Sequence, residues 1–174
     1  MGTGILICGL NGVGKSTLGR ALAQRLGYHF IDSEELYFDG AAGHDYAAQR
    51  TRREAEARLA ERIAAHPDFV LASVRGDYGE ALRSRICLVV QICAPRKLRL
   101  RRVRERSQQK FGARMLPGGD LHAREASFLE FVSARPEDTV DEWLKTIDLP
   151  VLRVDGARDV SANVEYIASH IARI

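Results

Sequence analysis

The stretch "GLNGVGKS", residues 9 to 16, follows an apolar run, "ILIC", and leads directly into "TLGRALAQRL". Glycine disfavours both helices and strands, so three glycines at the turn from a strand into a helix indicate a special backbone requirement. Gly9, Gly12, Gly14, Lys15 and Ser16 fit the spacing G-x-x-x-x-G-K-[ST]. A chance match in a glycine-rich turn is the alternative, but the strand, loop and helix stand in the order that this motif requires.

A bound phosphate explains the pattern physically. Bare glycines allow a loop whose N–H groups point inward around anionic oxygens, and the N-terminus of the next helix adds unpaired donors. Lys15 would reach the terminal phosphates, and Ser16 would ligate Mg²⁺, which prefers oxygen ligands. We therefore predict a site for ATP and Mg²⁺ whose cradle is made of Gly9, Leu10, Asn11, Gly12, Val13, Gly14, Lys15, Ser16 and Thr17.

Bulk composition excludes several classes of protein. The chain has 174 residues, which suits one domain, 1–174, and its net charge of +3 does not by itself indicate a nucleic-acid or membrane partner. No apolar run approaches the ~20 residues of a membrane span, and the N-terminus lacks the basic region of a signal peptide. Cys8, Cys87 and Cys93 lie in strand-like runs, so we expect buried, reduced thiols and a cytoplasmic monomer or homodimer.

Strand-like and helix-like segments alternate along the chain. Five apolar runs read as strands: "GILICG", "YHFID", "DFVLASV", "ICLVVQICA" and "LPVLRVDG". Helices are predicted over residues 15–26, about 46–65, 78–85, from Pro95 onward, and over 160–174. This alternation predicts an α/β fold with a parallel sheet that is covered on both faces.

This order of elements resembles the nucleoside monophosphate kinase group, which includes adenylate, shikimate and gluconate kinases. The likeness covers the whole chain and includes the spacing of Pro95, Leu98, Arg102 and Arg106, which matches a pattern of adenylate kinases. It implies a three-layer P-loop fold with a five-stranded parallel sheet in the order 2-3-1-4-5. It also implies that Arg102 lies against the adenine and that Arg106 contacts phosphates.

The same resemblance implies a lid and a loop that reads the base. The irregular stretch "SQQKFGARMLPGGD", residues 107–120, would be the lid, with Arg114 and also Arg124 closing on the transferring group. Its glycines and proline could equally form plain turns. Asp155, Gly156 and Ala157 would lie beside the adenine, although a simple strand-to-helix turn is an equal alternative.

The acceptor is expected opposite the phosphate loop, where strands two and three end. Asp32 matches an aspartate of shikimate and gluconate kinases, and would orient Mg²⁺ or act as general base; it could instead cap a helix. Adenylate kinases often carry an aspartate near Ala72, which is missing here. Arg75 would hold an acceptor phosphate or carboxylate, although a plain surface arginine is an equal alternative. Residues 33–66 would form an acceptor-side flap in which Arg50 and Arg53 meet an anion.

Two functions remain after this comparison. One is an ATP- and Mg²⁺-dependent kinase that phosphorylates a small nucleoside, nucleotide or sugar-acid acceptor. The other is an ATP-binding regulatory or nucleic-acid-associated protein that uses the basic helix after Pro95. A GTPase is not expected, since the chain has no N-K-x-D, and neither is an AAA-type motor, since the chain is short and no apolar run ends in Asp-Glu.

Overall fold

The computed structural model describes residues 2–38 and 49–172. Its centre is a five-stranded sheet in which all paired strands are parallel, in the order β2-β3-β1-β4-β5. The fold expected from the sequence is confirmed. The strands are β1 (Gly4–Cys8), β2 (His29–Asp32), β3 (Phe69–Ala72), β4 (Ile86–Cys93) and β5 (Val151–Asp155).

Strand β1 lies at the middle of the sheet, between β3 and β4, and all five of its residues are buried. A strand that is covered on both faces reads as a continuous apolar run, which is why "GILIC" was recognisable. Because all the strands run the same way, their carboxyl ends meet at one edge. Cys8, Asp32, Ala72, Cys93 and Asp155 end the strands at that edge, and the loops that follow gather there.

Helices surround the sheet. They are α1 (Lys15–Leu26), α2 (Ser33–Tyr37), α3 (Arg52–Ala65), α4 (Glu80–Arg83), α5 (Arg96–Phe111), α6 (His122–Ala134), α7 (Thr139–Leu144) and α8 (Val160–Ile171). Helix α1 ends at Gly27 as predicted, with a left-handed backbone at that glycine. Among the helices that the structure describes, none has the length and apolar character needed to cross a bilayer.

Helix α3 begins later than the sequence suggested. Thr51 accepts a hydrogen bond from the backbone N–H of Glu54, whose carboxylate accepts one from the N–H of Thr51 in return. This capping box starts the helix at Arg52 and leaves Arg50 outside it. The predicted start, residues 46–48, lies outside the described residues, as does the part of the proposed flap from 39 to 48.

Helix α5 is longer than expected, because "SQQKF" continues it to Phe111. Ser107 is buried on the same face as Val103, so tertiary contact supports this polar turn. The helix ends at Gly112, whose φ of +53° favours glycine. A 3-10 turn, Gly112–Met115, follows, and the irregular part of the predicted lid therefore begins only at residue 112. The short helix α2 was indicated only by the possible cap at Asp32, and α7 had no clear signal in the sequence.

The prediction that all three cysteines are buried is wrong. Cys8 is fully buried, but Cys87 is half-buried and Cys93 is exposed. The pairing of β1 with β4 shifts its register at Cys87, which interrupts the alternation of the strand. Cys93 lies opposite Asp155 of the edge strand β5, most of whose residues are exposed or half-buried. All three thiols are free.

Candidate active site

The loop between β1 and α1 depends on glycine for two separate reasons. Gly9, Gly12 and Gly14 have φ angles of +151°, +84° and +102°, a region that other residues rarely adopt. At Gly12 the space is also closed, because a Cβ atom would lie 2.3 Å from the carbonyl oxygen of Arg99 in α5. The loop is therefore pressed against the backbone of α5, which holds its N–H groups in place.

Replacing Gly12 tests this close approach. We expect Gly12→Ala to lower the free energy of unfolding by about 3 kcal/mol, through left-handed strain and the clash with Arg99 together. Gly14→Ala is the matched control, since nothing lies within 4 Å of its Cβ position. It should cost only the strain, about 1–2 kcal/mol. Urea unfolding measures the free energy of unfolding of both variants. Equal decreases for Gly12→Ala and Gly14→Ala would contradict the close approach of the loop to Arg99.

Lys15 opens helix α1 and returns over the loop. Its Nζ donates a hydrogen bond to the carbonyl oxygen of Leu10 at 3.0 Å. The pKa of Lys15 is lowered to about 8, chiefly by burial; Asp32 raises it and Arg106 lowers it within that net value. A desolvated cation at a helix N-terminus, beside a second cation, is an environment that an anion such as phosphate would stabilise.

A cavity of about 570 Å³, here called the loop cavity, opens over this loop. It brings together most of the predicted nucleotide-site residues: Gly12, Val13, Gly14, Lys15, Ser16, Thr17, Asp32, Arg102, Arg106 and Gly156. Gly9 and Leu10, the first two residues of the loop, are buried. The hydroxyl of Ser16 and the carboxylate of Asp32 supply the oxygen donors that Mg²⁺ prefers.

Asp32 uses its two carboxylate oxygens differently. Oδ1 accepts a hydrogen bond from the backbone N–H of Glu34 at 3.1 Å and caps α2. Oδ2 lies 3.9 Å from the guanidinium of Arg20. The helix-cap alternative is therefore correct for one oxygen, while the side chain still lines the loop cavity with Lys15.

Arg102 joins the phosphate loop to the end of β5. Its guanidinium donates to the carbonyl oxygens of Gly156, at 3.0 Å, and Val13, at 3.4 Å. A Cβ atom at Gly156 would lie 2.7 Å from the Val13 oxygen, so glycine is needed there. Asp155 accepts a hydrogen bond from the N–H of Ala157 at 2.8 Å and so stabilises the turn itself. Only Gly156 of these three residues lines the loop cavity.

Arg99 was missed at the sequence level. It is almost fully buried, pairs with Glu137 and donates to the carbonyl oxygen of Asn11 at 3.4 Å. Arg99, Val103 and Ser107 are the buried residues of α5, and their spacing of four was a readable signal. This spacing was overlooked because so many residues of the helix are basic.

A second cavity, of about 380 Å³, shares Lys15, Ser16 and Asp32 with the loop cavity. We call it the aromatic cavity because its wall includes Tyr37, Phe38, Phe111 and Phe128.

Of the two candidate lid arginines, only Arg124 lines the aromatic cavity. Arg114 is held by a bidentate ion pair with Asp120, at 2.6 to 3.2 Å, within its own loop.

A third cavity, of about 670 Å³, lies at the end of β3 and contains Arg52, Arg75 and Arg135; we call it the arginine cavity. Arg75 forms an ion pair with Asp77 at 2.9 Å. Arg135 donates to the side-chain oxygen of Asn11 at 3.2 Å, and its pKa is lowered by burial and by Arg75.

Arg50 and Arg53 line none of these three cavities as the described residues define them. Arg50 precedes the Thr51 cap of α3, whereas Arg53 is an exposed residue of its first turn. The start of the helix thus separates the two arginines that the sequence suggested would meet one anion.

Comparison with known proteins identifies the family. The family described as "AAA domain" matches residues 5–120, which contain the phosphate loop, β1 to β4 and α5. This chain belongs to that family. Its resemblance to P-loop kinases, inferred above from the motif spacing, is confirmed. The family match concerns the domain, and the expectation against a motor remains a prediction.

Similar proteins include two bacterial sequences and one solved structure. An uncharacterized protein of Bacillus subtilis, YqaC, is 27% identical over 176 residues, 97% of each chain. A shikimate kinase of Paramagnetospirillum magneticum is 39% identical over 84 residues, which cover 45% of this chain and 43% of that enzyme. A gluconokinase structure from Sinorhizobium meliloti shares the fold, with a TM-score of 0.58, 20% identity and coverage of 98% and 92%.

Proposed function

We propose that the protein is an ATP- and Mg²⁺-dependent kinase that phosphorylates a small-molecule acceptor. One observation carries the proposal: Lys15, Ser16 and Asp32 form a wall common to the loop cavity and the aromatic cavity. A nucleotide in the first cavity and an acceptor in the second would meet at these three residues. The kinase names of the shikimate kinase relatives support the same reaction class.

The transfer requires one bond to break and one to form. An acceptor oxygen attacks the γ-phosphorus, the bond from that phosphorus to the β–γ bridging oxygen breaks, and ADP leaves with the electron pair. Lys15 and Arg106 stabilise the negative charge on the moving group. The oxygen of Asp32 that does not cap α2, Oδ2, would orient the metal or take the acceptor's proton. Mg²⁺, held through Ser16 and Asp32, would neutralise phosphate charge.

The surrounding residues have supporting roles in this proposal. Arg102 and the turn at Asp155, Gly156 and Ala157 lie at the base end of the nucleotide. Residues 107–120 act as a lid and residues 33–66 as an acceptor-side flap within a single domain. Arg75, Arg50 and Arg53 remain proposed anion contacts of the acceptor, although Arg75 lies in the arginine cavity and the other two line none of the three cavities. Closure of the lid excludes water, so that the acceptor is phosphorylated in its place.

The charges of α5 argue against a nucleic-acid surface. Arg96 and Arg99 pair with Glu137, and Arg101 pairs with Glu105. Arg102 is engaged with backbone carbonyls. Arg99 and Arg102 are therefore oriented inward, and carboxylates partly offset the charge of Arg96 and Arg101, which weakens the alternative of a regulatory protein that binds nucleic acid through this helix.

Acceptor-dependent ADP release tests the proposal. A kinase should release ADP from Mg²⁺-ATP only when a suitable nucleoside, nucleotide or sugar acid is added, and chelation of Mg²⁺ should stop the reaction. A regulatory protein should bind ATP with little turnover, and its nucleic-acid binding should weaken steeply with salt. The second result would overturn the proposal.

The lid arginines should differ in importance. We expect Arg124→Ala to lower kcat about a hundredfold, because this side chain already lines the aromatic cavity. Arg114→Ala should lower kcat less, about tenfold or under, because Arg114 must first leave Asp120 to act. Steady-state kinetics of both variants, with ATP affinity measured in parallel, make the comparison. A larger loss for Arg114→Ala would show that the lid rearranges before transfer.

A further inference from the structure

The aromatic cavity contains a buried carboxylate whose presence the phosphate chemistry does not explain. Glu125 lies in the first turn of α6, and only 3% of the residue is exposed. Its Oε2 is buried without a hydrogen-bond partner in the part of the chain that the structure describes. A carboxylate oxygen only accepts hydrogen bonds, and a buried acceptor without a donor destabilises the fold. A donor on a ligand would remove that cost.

The remaining wall of this cavity indicates what kind of molecule would carry the donor. Tyr37, Phe38, Phe111 and Phe128 give it an aromatic lining at both the α2 side and the lid side. Flat rings stack favourably on such side chains, and each stacked base contributes substantially to affinity. A sugar acid has no aromatic ring face to stack on this lining, and its carboxylate would use the cations of the same cavity, such as Arg106, Lys110 and Arg124, and leave Glu125 without a donor.

We infer that the acceptor carries a nucleobase, as nucleosides and nucleoside monophosphates do, and that an N–H group of the base donates to Glu125. The inference rests on the proposed kinase function. The base lies among the aromatic side chains, and the ribose or its phosphate points toward Lys15 and Asp32, which line the same cavity. Glu125 is then a residue that determines specificity, and it takes no part in the transfer of the phosphoryl group.

An acceptor panel tests the substrate class. ADP release is measured with Mg²⁺-ATP and each ribonucleoside, each nucleoside monophosphate, gluconate or shikimate. Turnover with a nucleoside or a monophosphate supports the inference, and comparison of those two sets shows which form is used. Turnover only with gluconate or shikimate overturns the inference and leaves the kinase proposal standing. If the protein binds ATP but releases no ADP with any of these acceptors, both the nucleobase inference and the kinase proposal are overturned.

Substitution of Glu125 tests its role separately. Glu125→Gln should lower kcat/KM for the nucleobase acceptor about ten- to hundredfold, through a higher KM, with the KM for ATP unchanged. Glu130→Gln is the matched control, since Glu130 is exposed on the same helix. A ligand role also predicts that Glu125→Leu melts at the same temperature as the parent or higher. Wild-type kinetics for Glu125→Gln, or clear destabilisation by Glu125→Leu, would overturn the assignment.

Discussion

Lys15→Ala should abolish phosphoryl transfer, lowering kcat about a thousandfold or more, while the protein remains folded. Lys15 and Arg106 both line the loop cavity and the aromatic cavity, and Lys15 is the one that belongs to the phosphate loop, where charge develops during transfer. Its own structural contribution is a single hydrogen bond to Leu10. Loss of that bond costs about 1 kcal/mol, and loss of a desolvated charge offsets part of the cost.

Steady-state kinetics measure the turnover of Lys15→Ala, and urea unfolding measures its stability. Lys97→Ala serves as the control, because Lys97 is an exposed lysine of α5 that lines neither cavity. It should leave both turnover and stability unchanged. Turnover of a folded Lys15→Ala protein within tenfold of the parent would exclude the phosphate loop as the catalytic centre.

Asp32→Asn should lower kcat about a hundred- to thousandfold and change ATP affinity by less than about threefold. Asparagine can still accept the hydrogen bond from Glu34, so the cap of α2 is preserved and the melting temperature should hardly move. What the substitution removes is the negative charge near the Ser16 hydroxyl and the acceptor. Its effect therefore falls on the chemical step.

Asp68→Asn is a matched control for this substitution. Its Oδ1 accepts a hydrogen bond from the backbone N–H of Thr3 at 2.7 Å, much as Asp32 accepts one from Glu34. Asp68 precedes β3 and so lies at the opposite edge of the sheet from the cavities. It should have no effect on kcat. If Asp32→Asn turns over normally, Asp32 is only a helix cap and the proposed role is wrong.

The sequence alone was sufficient for the alternation of strands and helices and for the phosphate loop, because both depend on local patterns. The apolar run before Gly9, the glycine spacing and the helix from Lys15 to Leu26 follow from residues close together in the chain. The strand order came from the resemblance that those motifs carry, and the sheet confirms it. The motif residues that line the loop cavity were likewise named from spacing alone.

Only the tertiary structure decided which side chains reach a cavity and which are occupied elsewhere. Cys93 belongs to an apolar strand, yet it is exposed because the neighbouring edge strand is poorly covered. Arg114 lies in the segment that was predicted to be the lid, yet it is paired with Asp120, whereas Arg124 lines the aromatic cavity. Arg99 and Glu125 are charged residues that the sequence did not single out, and both are buried. Periodicity specifies the face of an element on which a residue lies, but burial and pairing depend on what distant parts of the chain place against that face.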